Sequence, residues 1–410
     1  MATKVNAVIG QSGGPTAVIN QSLVGAVLEL KKHPQIGGIL GARHGVRGII
    51  NGDFIPLEHT PADLLERVAQ TPSAALGSTR DKPDAAYCQK ILEAFKKHNV
   101  GYFLYIGGND SADTARIVSE MAAQAGYPLH LYHIPKTIDN DLRTTDHCPG
   151  YGSAGRFVAL ALMGDDADNR SLKGVKIDVI MGRDAGWLTA ATSLARYDST
   201  DGPHLIYVPE VNFNEEQFLG DVDRVYTKLG RCVIAVSEGI RYQAGDKASL
   251  VAERIMTGGE VDAHGNKQLS GTGALGDYLG ALVKDKLGAA LQTKTGGKLR
   301  VRADTFGYLQ RSFPTIVSPS DAAEARLCGH KAVEYALTAP QGLASGSVAM
   351  KRLSEEPYKI EMFPTALTNV ARLTKPLDTG FVVRGCDISD TYLKYARPLV
   401  GELFRPGRLM

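Results

Sequence analysis

Two carboxylates, a lysine and a threonine crowd into one heptapeptide, Pro135-Lys136-Thr137-Ile138-Asp139-Asn140-Asp141. Such a set can take a proton from a hydroxyl: one aspartate accepts it, and the other orients that base or helps with a metal. The same run also suits a turn with two Asx caps, and residue types alone leave both open. A second segment, Gln11-Ser12-Gly13-Gly14-Pro15-Thr16, lets backbone approach an anion closely, with N–H groups of a following helix to receive it. Its plain alternative is a tight strand-to-helix turn. It is neither a P-loop nor the GxGxxG dinucleotide fingerprint. Arg80, Arg183, Arg302 and Arg311 sit in or beside similar loops, and arginine grips phosphate bidentately. Glu238 can bond sugar hydroxyls or cap the next helix.

Apolar runs lead into these segments and must position them. Val5–Gly10, Tyr102–Ile106, Leu129–Ile134, Val175–Met181, Leu205–Val208 and Cys232–Val236 read as strands. Thr16–Lys32 and Ala112–Ala125 have helical spacing. Val- and Ile-rich strands followed by helices predict a mostly parallel sheet covered on both faces. Five strand ends run into Gly-rich or acidic loops: Gln11–Thr16, Asn109–Ser111, the heptapeptide, Met181–Gly186 and Ser237–Gly239. Ligands bind at the carboxyl ends of parallel strands, so these loops are expected along one rim. Residues 141–152, 256–274 and 339–357 read as breaks, the second as a long surface loop.

The 410 residues suggest two domains, and the formal net charge of +2 gives no argument for a nucleic-acid or membrane partner. No apolar run reaches the ~20 residues of a membrane helix. Five scattered cysteines without a CxxC pair, and an N-terminus without a signal peptide's apolar core, predict a cytoplasmic protein.

Taken together, GQSGGPTAVIN, GSTR, GGNDS, PKTIDND, MGRDAGWLTAAT, SEG and YLQR, in that order over residues 4–340, resemble the phosphofructokinase family. The resemblance implies an α/β fold of two similar Rossmann-like domains with largely parallel sheets and a cleft between them. One domain, residues 1–150 plus about 311–360, would hold the phosphoryl donor. The other, 151–310 plus about 361–410, would hold the sugar phosphate. By the same resemblance Asp139 is the base for the sugar 1-hydroxyl, assisted by Thr137 and Asp141. Gly13, Gly14, Arg80 and Ser111 face the donor phosphates. Thr137, Ile138, Asp139, Met181, Gly182, Arg183 and Glu238 contact the sugar. Arg302, Tyr308 and Arg311 bind its 6-phosphate, Arg302 from a neighbouring subunit, which implies a homodimer or homotetramer.

Two positions bear on the donor. ATP-using relatives carry Gly where this chain has Asp110, and Gly where it has Lys136. A carboxylate at Asp110 would stand in the space of the ATP α-phosphate. Two like charges ~4 Å apart repel by about 4 kcal/mol at an effective dielectric of 20, roughly a thousandfold in affinity. Pyrophosphate escapes that clash, and Lys136 can neutralise charge on the transferring group. The expected reaction is therefore reversible transfer from pyrophosphate to fructose 6-phosphate, with Mg²⁺. The family's acidic metal-side position is Asn109 here, an amide that can face Mg²⁺ directly or through water. The competing readings are an ATP-dependent kinase of the same fold and a non-catalytic sugar-phosphate-binding regulatory subunit. An intact PKTIDND loop speaks against the second. A nicotinamide-dependent oxidoreductase would show the dinucleotide fingerprint.

Overall fold

The computed structural model describes residues 4–255, 272–295 and 298–409. The greater part of the expected 256–274 loop thus lies outside the described residues. The strands of the two large sheets are β1 (Val5–Gln11), β2 (Ile36–Ala42), β3 (Phe54–Pro56), β4 (Val100–Gly107), β5 (His130–Pro135), β6 (Gly174–Ile180), β7 (Leu205–Tyr207), β8 (Arg231–Ser237), β9 (Val301–Thr305), β10 (Ser345–Glu355) and β11 (Tyr358–Thr365). The longer helices are α1 (Ile19–Leu30), α2 (Ala85–Lys97), α3 (Asn109–Gln124), α4 (Tyr151–Leu172), α5 (Glu215–Leu229), α6 (Ala274–Thr295), α7 (Pro319–Thr338) and α8 (Asp390–Val400).

The chain divides into two compact units, Met1–Ser153 with Arg311–Lys375, and Ala154–Gln310 with Pro376–Met410. The first holds a seven-stranded sheet in the order β11-β10-β5-β4-β1-β2-β3. Its five inner strands are parallel, and β3 and β11 close the edges antiparallel. Both faces are covered, which explains why the inner strands β1, β4 and β5 are largely apolar rather than alternating. Ala7 and Ile9 of β1, with Leu104 and Ile106 of β4, pack towards α1 and α7. Val8, Phe103 and Tyr105 point the other way, onto α2 and α3.

The second unit has a parallel sheet in the order β7-β8-β6-β9. Val175, Ile177 and Val179 of β6 bury one face beneath α5 and α6. Local signals fix α5 well. Asn214 accepts a hydrogen bond from the Gln217 N–H at its start, and Gly230 ends it at a φ of 68°.

Three expectations change. The five chemistry-bearing loops do not share one sheet: those after β1, β4 and β5 belong to the first unit, and those after β6 and β8 to the second. The run 339–357 is not a break but is mostly β10, which pairs parallel with β5 and turns into β11. Its first half is buried on both sides and its second half alternates with solvent, so no single periodicity marks it. Finally, α1 begins at Ile19 rather than Thr16, without a side-chain cap. The glycine loop therefore does not open directly into a helix.

Candidate active site

In the first unit, β1 delivers the chain to Ser12-Gly13-Gly14. Gly13 takes a φ of 74°, which favours glycine. A Cβ on Gly14 would lie 2.6 Å from Nη1 of Arg311, and one on Gly13 would lie 3.1 Å from Nζ of Lys136. Two cations thus press onto bare backbone, and Lys136 Nζ donates to the Gly14 carbonyl at 2.8 Å. The segment before Arg80 braces the loop. Gly13 N–H donates to the Thr79 carbonyl at 2.9 Å, and Ser78 Oγ donates to the Gly13 carbonyl at 2.6 Å. Arg80 itself is exposed.

The helix end that reaches this loop belongs to α3, which starts one residue after β4. Its Ser111 Oγ lies 2.8 Å from Ser12 Oγ. Asp110 occupies the first turn of α3, where the helix dipole favours an anion. Its carboxylate lies 3.2 Å from Lys82 Nζ, with both side chains more than half exposed. That setting weakens the charge argument made from sequence. Solvent and a counter-ion bring the repulsion of a third phosphate to between about 1 and 4 kcal/mol.

Lys136 follows β5 and is 3% exposed. Burial pushes its ammonium down to about 8, and the Arg311 and Arg80 charges push the same way; Asp139 and Asp141 oppose them. A buried cation among two arginines and two aspartates is poised for a multiply charged anion. The heptapeptide folds back on itself. Asp139 N–H donates to Thr137 Oγ1 at 3.1 Å, and buried Asn140 accepts from the Cys148 N–H at 3.0 Å. Ile138 is buried. Asn109 Nδ2 donates to Asp141 Oδ2 at 3.3 Å, while its Oδ1 is buried and has no hydrogen-bond partner among the described residues.

In the second unit, the turn after β6 carries Met181, Gly182 and Arg183. Gly182 adopts a φ of 127°. The turn lies against the end of β8: Ser237 Oγ donates to the Gly182 carbonyl at 2.7 Å, and Gly182 N–H points at Glu238 Oε1 at 3.4 Å. A Cβ on Gly239 would fall 2.1 Å from the Arg183 carbonyl, so only glycine fits that crossing. Glu238 is 6% exposed and no helix starts after it, which removes its capping alternative. Met181 N–H donates to Gln310 Oε1 at 3.2 Å.

Arg302 is exposed on edge strand β9, and Tyr308 is 40% exposed. Arg311 belongs to the first unit, where its guanidinium lies over Gly14. Sequence reasoning missed Lys82, Ser12 and Gln310. Gln310 lies inside the YLQR motif, and Lys82 follows GSTR by one residue, so position near a loop was the available signal.

A family model described as phosphofructokinase matches residues 6–336. The chain is 51% identical over 401 residues to a pyrophosphate–fructose 6-phosphate 1-phosphotransferase of Rhodospirillum rubrum, covering 97% of this chain and 95% of the relative. A protein of the same description from Xanthomonas campestris is 36% identical, covering 97% and 92%. Among solved structures, a pyrophosphate-dependent phosphofructokinase from Marinobacter aquaeolei is similar with a TM-score of 0.81 and 33% identity, over 99% of this chain and 94% of that one.

Proposed function

The chain belongs to the phosphofructokinase family, and we infer from that premise that it transfers a phosphoryl group from pyrophosphate to the 1-hydroxyl of fructose 6-phosphate, giving fructose 1,6-bisphosphate and phosphate. One observation carries the choice of donor: Lys136, a buried ammonium seated on Gly13-Gly14 beside Arg311 and the aspartates of its own loop. A neutral residue there would leave the loop without its innermost cation.

We propose that the first unit holds the donor and the second the sugar phosphate. Gly13, Gly14, Arg80 and Ser111 bind the diphosphate. Asp110 takes up room that a third phosphate would need. Lys136 balances charge that builds on the transferring group, where a fixed cation is worth most. Asp139 accepts the proton of the attacking hydroxyl, and Thr137 and Asp141 hold that loop in shape. Met181, Gly182, Arg183 and Glu238 orient the sugar. Arg302, on the open sheet edge, reaches the 6-phosphate of a neighbouring subunit in a homodimer or homotetramer, with Tyr308 on the same ligand.

The residues fit a hard divalent cation. The orphaned Asn109 Oδ1 and the neighbouring Asp141 carboxylate are oxygen donors of the kind Mg²⁺ takes, directly or through water. When bound, Mg²⁺ would neutralise part of the pyrophosphate charge. No helix among the described residues is long and apolar enough to cross a membrane, and we place the enzyme in the cytoplasm.

The test is formation of fructose 1,6-bisphosphate with pyrophosphate or ATP as donor, with and without Mg²⁺. Product from pyrophosphate and Mg²⁺ is the expected result. Turnover with ATP alone would contradict the reading.

A further inference from the structure

Residues 136–150 carry Lys136, Asp139 and Asp141, yet no regular secondary structure stiffens most of that stretch. What holds it is a polar cluster around His147, whose side chain is 3% exposed. Its Nδ1 lies 2.8 Å from Asp146 Oδ1, and its Nε2 lies 2.6 Å from Glu324 Oε2 on α7. A neutral imidazole donates from one nitrogen only, whereas both nitrogens here face carboxylate oxygens. With both carboxylates ionised, both bonds form only when the ring carries two protons.

We propose that His147 is a positioning residue for phosphoryl transfer: as an imidazolium bonded to Asp146 and Glu324, it ties the 136–150 segment to α7 and the β10–β11 hairpin. This rests on the functional reading above, which places the reacting groups in that segment.

The surroundings complete the clasp. Arg352 of β10 donates to Asp146 Oδ1 through Nη2 at 3.0 Å, and Tyr358 of β11 donates to Glu324 Oε1 at 2.7 Å. Tyr358 Oη also lies 3.5 Å from His147 Nε2. Lys375 Nζ donates to the Thr145 and Asp146 carbonyls at 3.0 and 2.7 Å. Asp321, one turn before Glu324, accepts from Gly150 N–H and Ser153 N–H, both at 2.8 Å. The buried thiols Cys148 and Cys328 lie in the same field. The acids Asp146, Glu324 and Asp321 match the cations Arg352, Lys375 and His147 only while the imidazole is charged. Burial opposes that charge, but the two carboxylates outweigh it and hold His147 above the usual histidine range; Asp146 is lowered in return.

The proposal makes a kinetic distinction. Losing the clasp moves the reacting groups of the first unit and leaves the sugar contacts of the second in place. Misplacement by about an ångström can cost ~10²-fold in rate. His147→Gln should therefore lower kcat by at least about tenfold, with KM for fructose 6-phosphate, held mainly by the second unit, changed by less than kcat. Glu324→Gln removes one of the two carboxylates and should move the alkaline limb of kcat, measured at saturating pyrophosphate, to lower pH by about one to three units.

The titration of the His147 ring in the intact wild-type enzyme, followed by NMR, needs no variant. A ring still doubly protonated at pH 7.5 is expected, and a neutral ring would overturn the proposal. So would a fall in melting temperature for the His147→Gln variant with kcat unchanged, or an unmoved pH profile for Glu324→Gln. If wild type itself fails to use pyrophosphate, the functional reading fails instead, and the two failures are separable.

Discussion

Lys136 is a cation placed where burial opposes its charge. Its folded value of about 8 lies below the usual lysine value, so the unfolded chain holds that proton to higher pH than the native one does. Between about pH 8 and 10.5 the unfolded state binds more protons, and the stability of the ligand-free enzyme should gain from this group as pH rises through that window. Function runs the opposite way. The ammonium must be charged to receive pyrophosphate, so kcat/KM for pyrophosphate should fall as pH rises through about 8. Lys136→Met should remove that limb, reduce the pyrophosphate reaction severely, and leave the urea midpoint at neutral pH unchanged or higher. At Asp139 the expected loss is of another kind. Asp139→Ala should cut kcat by ~10²–10⁴ while fructose 6-phosphate still binds, a split that turnover and equilibrium binding measure separately. Near-normal turnover would remove Asp139 from the base role.

At the scale of elements, α1 and α7 approach each other closely in the first unit. A Cβ on Gly25 would fall 2.2 Å from the Arg326 carbonyl, and one on Gly329 would fall 2.1 Å from the Ser22 carbonyl. Both meet backbone, which yields only if a helix moves. Gly329→Ala should therefore cost about 1–3 kcal/mol in urea unfolding, despite alanine's better helix propensity. The same helices show what was readable in the chain. Strands β1, β4, β5, β6, β7 and β8 were legible as short, largely apolar runs, because burial on both faces makes most of their positions apolar. β2 was not, since Gly37, Gly38 and Gly41 interrupt it, although Gly41 is what lets Leu76 pack onto the sheet. The start of α1 was misplaced because the apolar spacing extends back to Thr16, while the observed cap position is Val18. The site was legible as loops after strands. Partners such as Lys82 for Asp110, Arg311 for Gly14 and Glu324 for His147 were not, because no local pattern encodes a meeting across many residues of chain.

Over the whole molecule, the chain builds each unit from two separate stretches. Arg311–Lys375 returns to the first unit with α7, β10 and β11, and Pro376–Met410 returns to the second with α8. On the proposed reading, donor choice is a property of that assembled first unit, with Asp110 brought in by α3 and Lys136 following β5. On that reading the charge of Asp110 would supply between about 1 and 4 kcal/mol against a third phosphate, or roughly fivefold to a thousandfold, and Lys136 would favour a compact, highly charged donor. The most direct measurement is the ratio of kcat/KM for pyrophosphate to that for ATP, at fixed Mg²⁺ and fructose 6-phosphate, in wild type and in the Asp110→Gly/Lys136→Gly double variant. Wild type should favour pyrophosphate by about 10²-fold or more, and the double variant should narrow that ratio by at least about tenfold. A wild-type enzyme with equal or better kcat/KM for ATP would contradict the account.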